Sequence, residues 1–302
     1  MTDPRDPSPA ASPSAPTVSV VMPVGAIDDS VTEQLDALAD QSFSEPWELV
    51  LSVNAPGQSA HRVLTDHRVH GVAAVRIIDS SAVRSAAHAR NAGAAAASTP
   101  LLAFCDSDDL CEPTWLAAIV RALGAHEAVG GHLDEQRLSP PGQERWRPPA
   151  TPGDLPAFLG HRYPVSANMG VRAEAFAKVN GFPVGYTRCE DIAFGWLLED
   201  AGIELAYAPD AVVHYRHRPG LWTMIRQHHY YGVGMTEVLV RQGIPGAGTG
   251  ADGASLMRPN AQRVTQRSFI HILRRGAIAS GRVRGLVQER ILTRDTTDDA
   301  RR

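Results

Sequence analysis

The chain has 302 residues, 29 lysines and arginines against 33 aspartates and glutamates, and a net charge of −4. A chain of this length removes roughly 75% of its unfolded surface from water without disulfides or a structural metal, and Cys105, Cys111 and Cys189 fit neither a zinc spacing nor a secreted disulfide framework, so they read as buried thiols in a reducing compartment. The mildly acidic balance excludes a general nucleic-acid binder, which needs a strongly basic face, and no apolar run reaches the 18 residues that a membrane span requires.

Residues 1–16 are rich in Pro, Ser, Ala and Asp and lack a basic start and an apolar stretch, which reads as a disordered leader rather than a signal peptide. Val18 to Met22 then form a β-branched run stopped by Pro23, the pattern of a buried parallel strand. Val31, Leu35, Leu38 and Ala39 recur at helical spacing, and Trp47 to Val53 return as a strand before the Asn54-Ala55-Pro56-Gly57 turn. The pattern continues with a helix over 61–70, a strand over 73–78, an alanine-rich helix over 86–97 and a strand over 101–105. Four strands with three crossovers make one α/β, nucleotide-binding-type half.

The stripe Leu116, Ile119, Val120 and Leu123 predicts a helix over 114–125, after which the texture becomes loop-like. Residues 139–156 hold six prolines and two glycines, a surface excursion or flap that divides the site's two halves. Helices follow over 172–179 and 191–201, with two strands near 204–208 and 211–215 and further helix beyond Trp222. The glycine-rich stretch 246–253 follows no β-run and reads as a loop, not a dinucleotide fingerprint. His228 and His229 read as a packing surface, because adjacent helical residues diverge by about 100° and cannot easily share one ion.

Asp106, Asp108 and Asp109 follow the fourth strand directly, at the carboxyl edge where open α/β sheets bind ligands. Three close anions repel one another unless a divalent cation neutralises them, and Mg2+ or Mn2+ prefers carboxylate together with phosphate oxygens. The plain alternative is a solvated acidic turn capping the next helix.

The segments Val18-Ser19-Val20-Val21-Met22-Pro23, Ala89-Arg90-Asn91-Ala92-Gly93 and Leu102 to Asp109 resemble the family 2 glycosyltransferases of the GT-A fold. Ser166 to Arg172, Gly181-Phe182 and Cys189 to Trp196 extend the resemblance, in order, over residues 17–218. The resemblance implies a mostly parallel central sheet in a catalytic domain over 17–218, split at 110 into nucleotide-binding and acceptor halves, with a helical extension over 219–302. It implies an inverting transfer from a nucleotide-diphosphate sugar to an acceptor glycan, a lipid-linked acceptor or a small-molecule alcohol, in cell-envelope or natural-product glycosylation. In it Asp108 ligates the metal, Asp106 contacts the metal or the ribose, and Asp109 orients those ligands from behind. Asp191 is the general base and Glu190 orients it or contacts the acceptor. Pro23, Asn54, Arg90, Arg216 and Arg218 fall on the donor side, and His214 is a third metal ligand or a phosphate contact. The family's usual acidic residue after the second strand is absent, so Asn54 would meet the base edge and the donor stays open among uridine, thymidine and guanosine.

Each assignment has a plainer counterpart. Glu190 and Asp191 would suit the first turn of any helix through its dipole, Arg90 could be an ordinary helical arginine, and Arg216 and Arg218 a solvated loop. A sugar nucleotidyltransferase remains the rival enzyme, although Pro23-Val24-Gly25-Ala26 lacks the basic residues its phosphate loop would need, and an inactive sugar-nucleotide binding module is the other alternative. The arginine-rich stretch 258–290 is amphipathic. It fits either peripheral contact at the inner face of the membrane by a cytoplasmic protein or ordinary packing with a basic outer face.

Overall fold

The computed structural model describes residues 15–139, 153–244 and 269–299. The leader, most of the proline-rich excursion and the glycine-rich stretch 246–253 lie outside the described residues. The fold is the α/β, GT-A type that the sequence predicts.

The first half runs β1 (Val18–Val24), α1 (Asp29–Ala39), β2 (Trp47–Val53), α2 (Arg62–Thr65), a 3-10 turn, β3 (Ala74–Asp79), α3 (Ala86–Ala96) and β4 (Leu101–Cys105). β1 pairs in parallel with both β2 and β4, and β2 with β3. Val18, Val20, Met22 and Val24 face a core shared with α1, while Val21 joins Phe104 in a second core on the other side of the sheet. Burial on both faces is why these strands read as near-continuous apolar runs, each large side chain contributing about 1.5–3 kcal/mol. The predicted helix over 61–70 is broken: the rings of His61 and His67 accept the backbone N–H groups of Val63 and Val69 and each starts a separate short turn.

The second half adds β5 (Leu110–Cys111), α4 (Trp115–Ala125), β6 (Ala128–Asp134), the β7 (Ala157–Phe158) and β8 (His161–Arg162) hairpin, β9 (Asn168–Arg172), α5 (Ala173–Lys178), α6 (Glu190–Asp200) and β10 (Leu205–His214). The sheet order is β3-β2-β1-β4-β9-β6-β10-β5, antiparallel only around β9 and at β5. β6 was unexpected because Gly130 and Gly131 look like loop residues; they sit where Leu155 and Asn168 press on the strand. The two strands expected near 204–208 and 211–215 are one, with a register irregularity between Ala208 and Val212. Asn168, in the segment assigned to the acceptor side, stitches the sheet instead: it accepts from Trp115 Nε1 at 2.9 Å and donates to the carbonyls of His132 and Ala211, both at 2.8 Å.

Two long helices complete the description, α7 (Leu221–Arg241) and α8 (Phe269–Asp299). His228 meets Arg274 and Arg241 meets Glu289, so contacts ascend together along both chains and the helices run parallel. His228 is thereby a packing residue, as the sequence suggests. No helix among the described residues is long and apolar enough to cross a membrane.

Candidate active site

The chain crosses from β3 back over β1 to β4, which makes the β1–β4 junction the switch point of the sheet. The acidic turn Asp106–Asp109 leaves β4 there. Gln34 of α1, fully buried, pins both ends of it: Nε2 donates to the Asp106 carbonyl at 3.0 Å and Oε1 accepts from the Cys111 N–H at 3.0 Å. Gln34 carries no motif and was not legible in the sequence, although a glutamine on the apolar stripe of α1 is the kind of mismatch that signals a buried polar task.

Asp106, Asp108 and Asp109 bring ligand atoms within 4.8 Å of one another. Asp109 is 1% exposed; its Oδ1 accepts from the Arg216 backbone N–H at 2.7 Å, and its Oδ2 is buried with no hydrogen-bond partner. Burial, with Asp106 and Asp108 adding to it, pushes the Asp109 carboxyl up to about 9. Burial and Asp106 push Asp108 up as well, while Arg218 pulls it back. Three compressed carboxylates with an orphaned oxygen are the donor set a hard divalent cation takes. The residues therefore fit a hard divalent cation such as Mg2+ or Mn2+, and Asp109 lies in the same cluster as Asp106 and Asp108.

Arg90 sits 3% exposed between this cluster and α6. One terminal nitrogen donates to Asp106 Oδ1 at 2.6 Å, the other to Glu190 Oε1 at 2.9 Å, and the guanidinium lies over the Phe182 ring at 5.6 Å. Burial opposes its charge, but Asp106 and Glu190 outweigh it and hold it more firmly protonated than usual. Its terminal nitrogens thus serve two carboxylates, while its buried Nε has no hydrogen-bond partner. Neighbouring Asn91 grips the backbone of Phe182 from both sides, at 2.7 and 2.8 Å.

Asp191 follows Glu190 in the first turn of α6. Burial and then Glu190 push its carboxyl up to about 7, against the Ile192 N–H at 2.9 Å and Arg90. Asp191 in turn helps burial push the phenol of Tyr163, a residue unmarked by any motif, up. The residue before this pair, Cys189, has φ 66° and caps α6 without a side-chain bond.

Other expected residues are placed differently. His214 is engaged outside the aspartate cluster: Nδ1 bonds Asp134 at 2.6 Å, and Nε2 bonds Glu112 and Arg137. Both ring nitrogens of His214 thus have protein partners in this structure. Arg216 reaches the Asp108 carbonyl at 2.8 Å and Glu33, so it braces the acidic turn, and Arg218 remains exposed near Asp108. Asn54 spends its amide hydrogens on the carbonyls of Ser80 and Val83, at 2.6 and 2.9 Å, and closes the β3–α3 connection. Pro23 lies near the carboxyl end of β1, opposite Ser52 of β2.

With Arg90 joining the acidic turn to the start of α6, a comparison with known sequences becomes decisive. Residues 19–179, more than half of the chain, match the profile of glycosyl transferase family 2. The chain belongs to that family. It is 28% identical over 222 residues to pre-mycofactocin glycosyltransferases from two strains of Mycobacterium tuberculosis, a match covering 66% of this chain and 44% of theirs. The chain thus spans under half the length of those relatives. Among solved structures, the mannosyltransferase PcManGT of Pyrobaculum calidifontis in complex with GDP-Man and Mn2+ superposes with a TM-score of 0.56 and 18% identity, covering 92% of this chain and 76% of that one. TarS 1-349 of S. aureus in complex with UDP-GlcNAc gives a TM-score of 0.52 and 15% identity over 74% of this chain and 66% of that one. At such identities these likenesses establish the shared fold. The family match ends before Glu190 and Asp191, so the candidate base lies beyond it.

Proposed function

We propose that this chain carries out an inverting transfer of a sugar from a nucleoside diphosphate donor to an acceptor hydroxyl. The observation that supports the reading is the Arg90 bridge, at 2.6 Å to Asp106 and 2.9 Å to Glu190, because it ties the acidic turn to the start of the helix that carries Asp191. In the reaction the acceptor oxygen bonds C1 as the C1–O bond to the diphosphate breaks, and Asp191 takes the hydroxyl proton. A carboxyl pushed up to about 7 is well matched to that task near neutral pH. Asp106, Asp108 and Asp109 would hold Mg2+ or Mn2+, which supplies Lewis-acid countercharge for the departing diphosphate when bound. Arg218, exposed beside Asp108, adds a cation on the same side. Arg90 keeps Asp106 and Glu190 oriented, and one base without a second nucleophilic carboxylate corresponds to single displacement.

The likeness to proteins bound to GDP-Man and UDP-GlcNAc makes guanosine and uridine donors the first to try. For a lipid-linked acceptor, peripheral membrane contact is supported by Trp222, 81% exposed, and by the exposed Val283 and Val287 beside the exposed Arg275 and Arg284. The test is thermal-shift screening against nucleotide sugars with and without Mn2+, followed by Asp191→Asn. The reading expects a metal-dependent rise in melting temperature with one donor class, and a variant that binds that donor yet fails to transfer. An Asp191→Asn protein with full transfer would remove Asp191 from the base role.

A further inference from the structure

Cys189 places a side chain in the left-handed region, φ 66°, at the residue that launches α6. Any residue with a Cβ is disfavoured there and persists only when its surroundings over-determine it. Those surroundings come from α7. Glu237, 5% exposed, accepts the Thr187 N–H at 2.6 Å through Oε2 and the Thr187 hydroxyl at 2.5 Å through Oε1. Gly234 lies so close that a Cβ on it would be 2.5 Å from the Arg188 carbonyl oxygen. The Cys189 thiol in turn donates to the Tyr231 carbonyl at 3.8 Å. Residues 231, 234 and 237 are three apart and form one stripe of the helix, and this stripe runs along residues 187–189. Behind it Ile192, Ala193 and Trp196 of α6 pack with Val238 and Leu239 of α7.

We propose that α7 is part of the catalytic apparatus and that Glu237 is a positioning residue: it clamps the left-handed turn from which Asp191 is aimed at the acceptor. The proposal rests on the reading of Asp191 as base, and it deepens that reading by assigning a role to a helix outside the family match. The direction of the first turn of α6 follows from the backbone at Cys189. If that residue relaxes to a right-handed or extended conformation, Asp191 swings away from its position while the acidic turn, held by Gln34, stays where it is. Loss of the clamp therefore reduces turnover and leaves donor binding alone.

The experiment uses the full chain and the variants Glu237→Gln, Gly234→Ala and the double variant Glu237→Gln with Cys189→Gly. Glutamine keeps the shape but turns an amide NH2 toward one of the two Thr187 donors. The expected result is a fall in kcat of about 100-fold, the scale of a misplaced reacting group, with donor KM unchanged. Gly234→Ala, which pushes α7 off the turn, should do the same. Glycine accepts positive φ without a Cβ penalty, so the double variant should recover most of the lost kcat. A purely structural role would lower the melting temperature of Glu237→Gln without this rescue, and that result would overturn the proposal. Amide hydrogen exchange over residues 187–192 gives a readout independent of turnover: it should accelerate in Glu237→Gln, and unchanged exchange would refute the clamp. If Asp191→Asn keeps full transfer, the base assignment falls and the exchange result alone decides the clamp.

Discussion

The two acidic rims that Arg90 joins are built from different materials. Asp106, Asp108 and Asp109 occupy a single turn at the end of a central strand, and two neighbouring elements pin it through Gln34 and the Arg216 backbone. Glu190 and Asp191 instead start a helix whose preceding residue is in the left-handed region, and the contacts that hold it come from residues 231–237. The rim at the acidic turn thus inherits its geometry from the sheet, whereas the rim at the start of α6 borrows it from a helix some forty residues further along the chain. Arg90 joins the two. Such a division predicts that damage on the acceptor side costs rate, and that damage on the phosphate side costs metal and donor affinity.

The largest expected effect is that of Asp191→Asn, a loss of about 10²- to 10⁴-fold in kcat, the usual contribution of a general base, with nucleotide affinity retained. The wild-type rate should climb as pH rises through about 7, where Asp191 ionises, and level off above it; a profile flat down to pH 5 would show a base with an ordinary carboxylate. Asp108→Asn should act on the other rim, reducing metal affinity by about 10- to 100-fold and abolishing the Mn2+-dependent rise in melting temperature. Arg90→Lys keeps a charge but cannot reach both carboxylates with a planar fork. It should therefore affect kcat and donor KM together, by about tenfold each, and an effect on one alone would mean that the rims are independent.

A smaller effect separates stability from catalysis. The folded-state pKa of Asp191 is raised, so its protonated form stabilises the fold at low pH and that contribution is lost as pH rises through about 7. Asp191→Asn removes the buried charge, and calorimetry should find it more stable than wild type by about 2–4 °C at pH 8, with a lesser gain at pH 5. Smallest of all is the membrane term: Val283→Asp with Val287→Asp should weaken sedimentation with anionic vesicles by a few-fold while leaving transfer to a soluble acceptor intact.

The phosphate half was largely legible from sequence because its strands are buried on both faces and its acids are contiguous. Hydrophobic runs and turn residues locate β1, β2 and β4, and an aspartate cluster after the last of them marks the site without knowledge of any long-range contact. The elements that escaped are those whose residues answer to distant neighbours. β6 hid behind Gly130 and Gly131, chosen by the pressure of Leu155 and Asn168. The predicted helix over 61–70 ignored two histidines that cap short turns, and the partners of His214, Glu112 and Asp134, are remote in sequence.

Local periodicity and adjacency, then, already determined the α/β class and the acidic turn, and the resemblance of short motifs added the family and the Glu190-Asp191 pair. Only the tertiary structure decided that Arg90 bridges the two rims, that Asp109 is buried within the aspartate cluster, and that α7 contacts the turn before Asp191. The reason is physical. Burial patterns and strand ends are written in neighbouring residues, whereas a salt bridge spanning 100 positions, or a strained backbone held by a remote carboxylate, exists only once packing has brought those groups together.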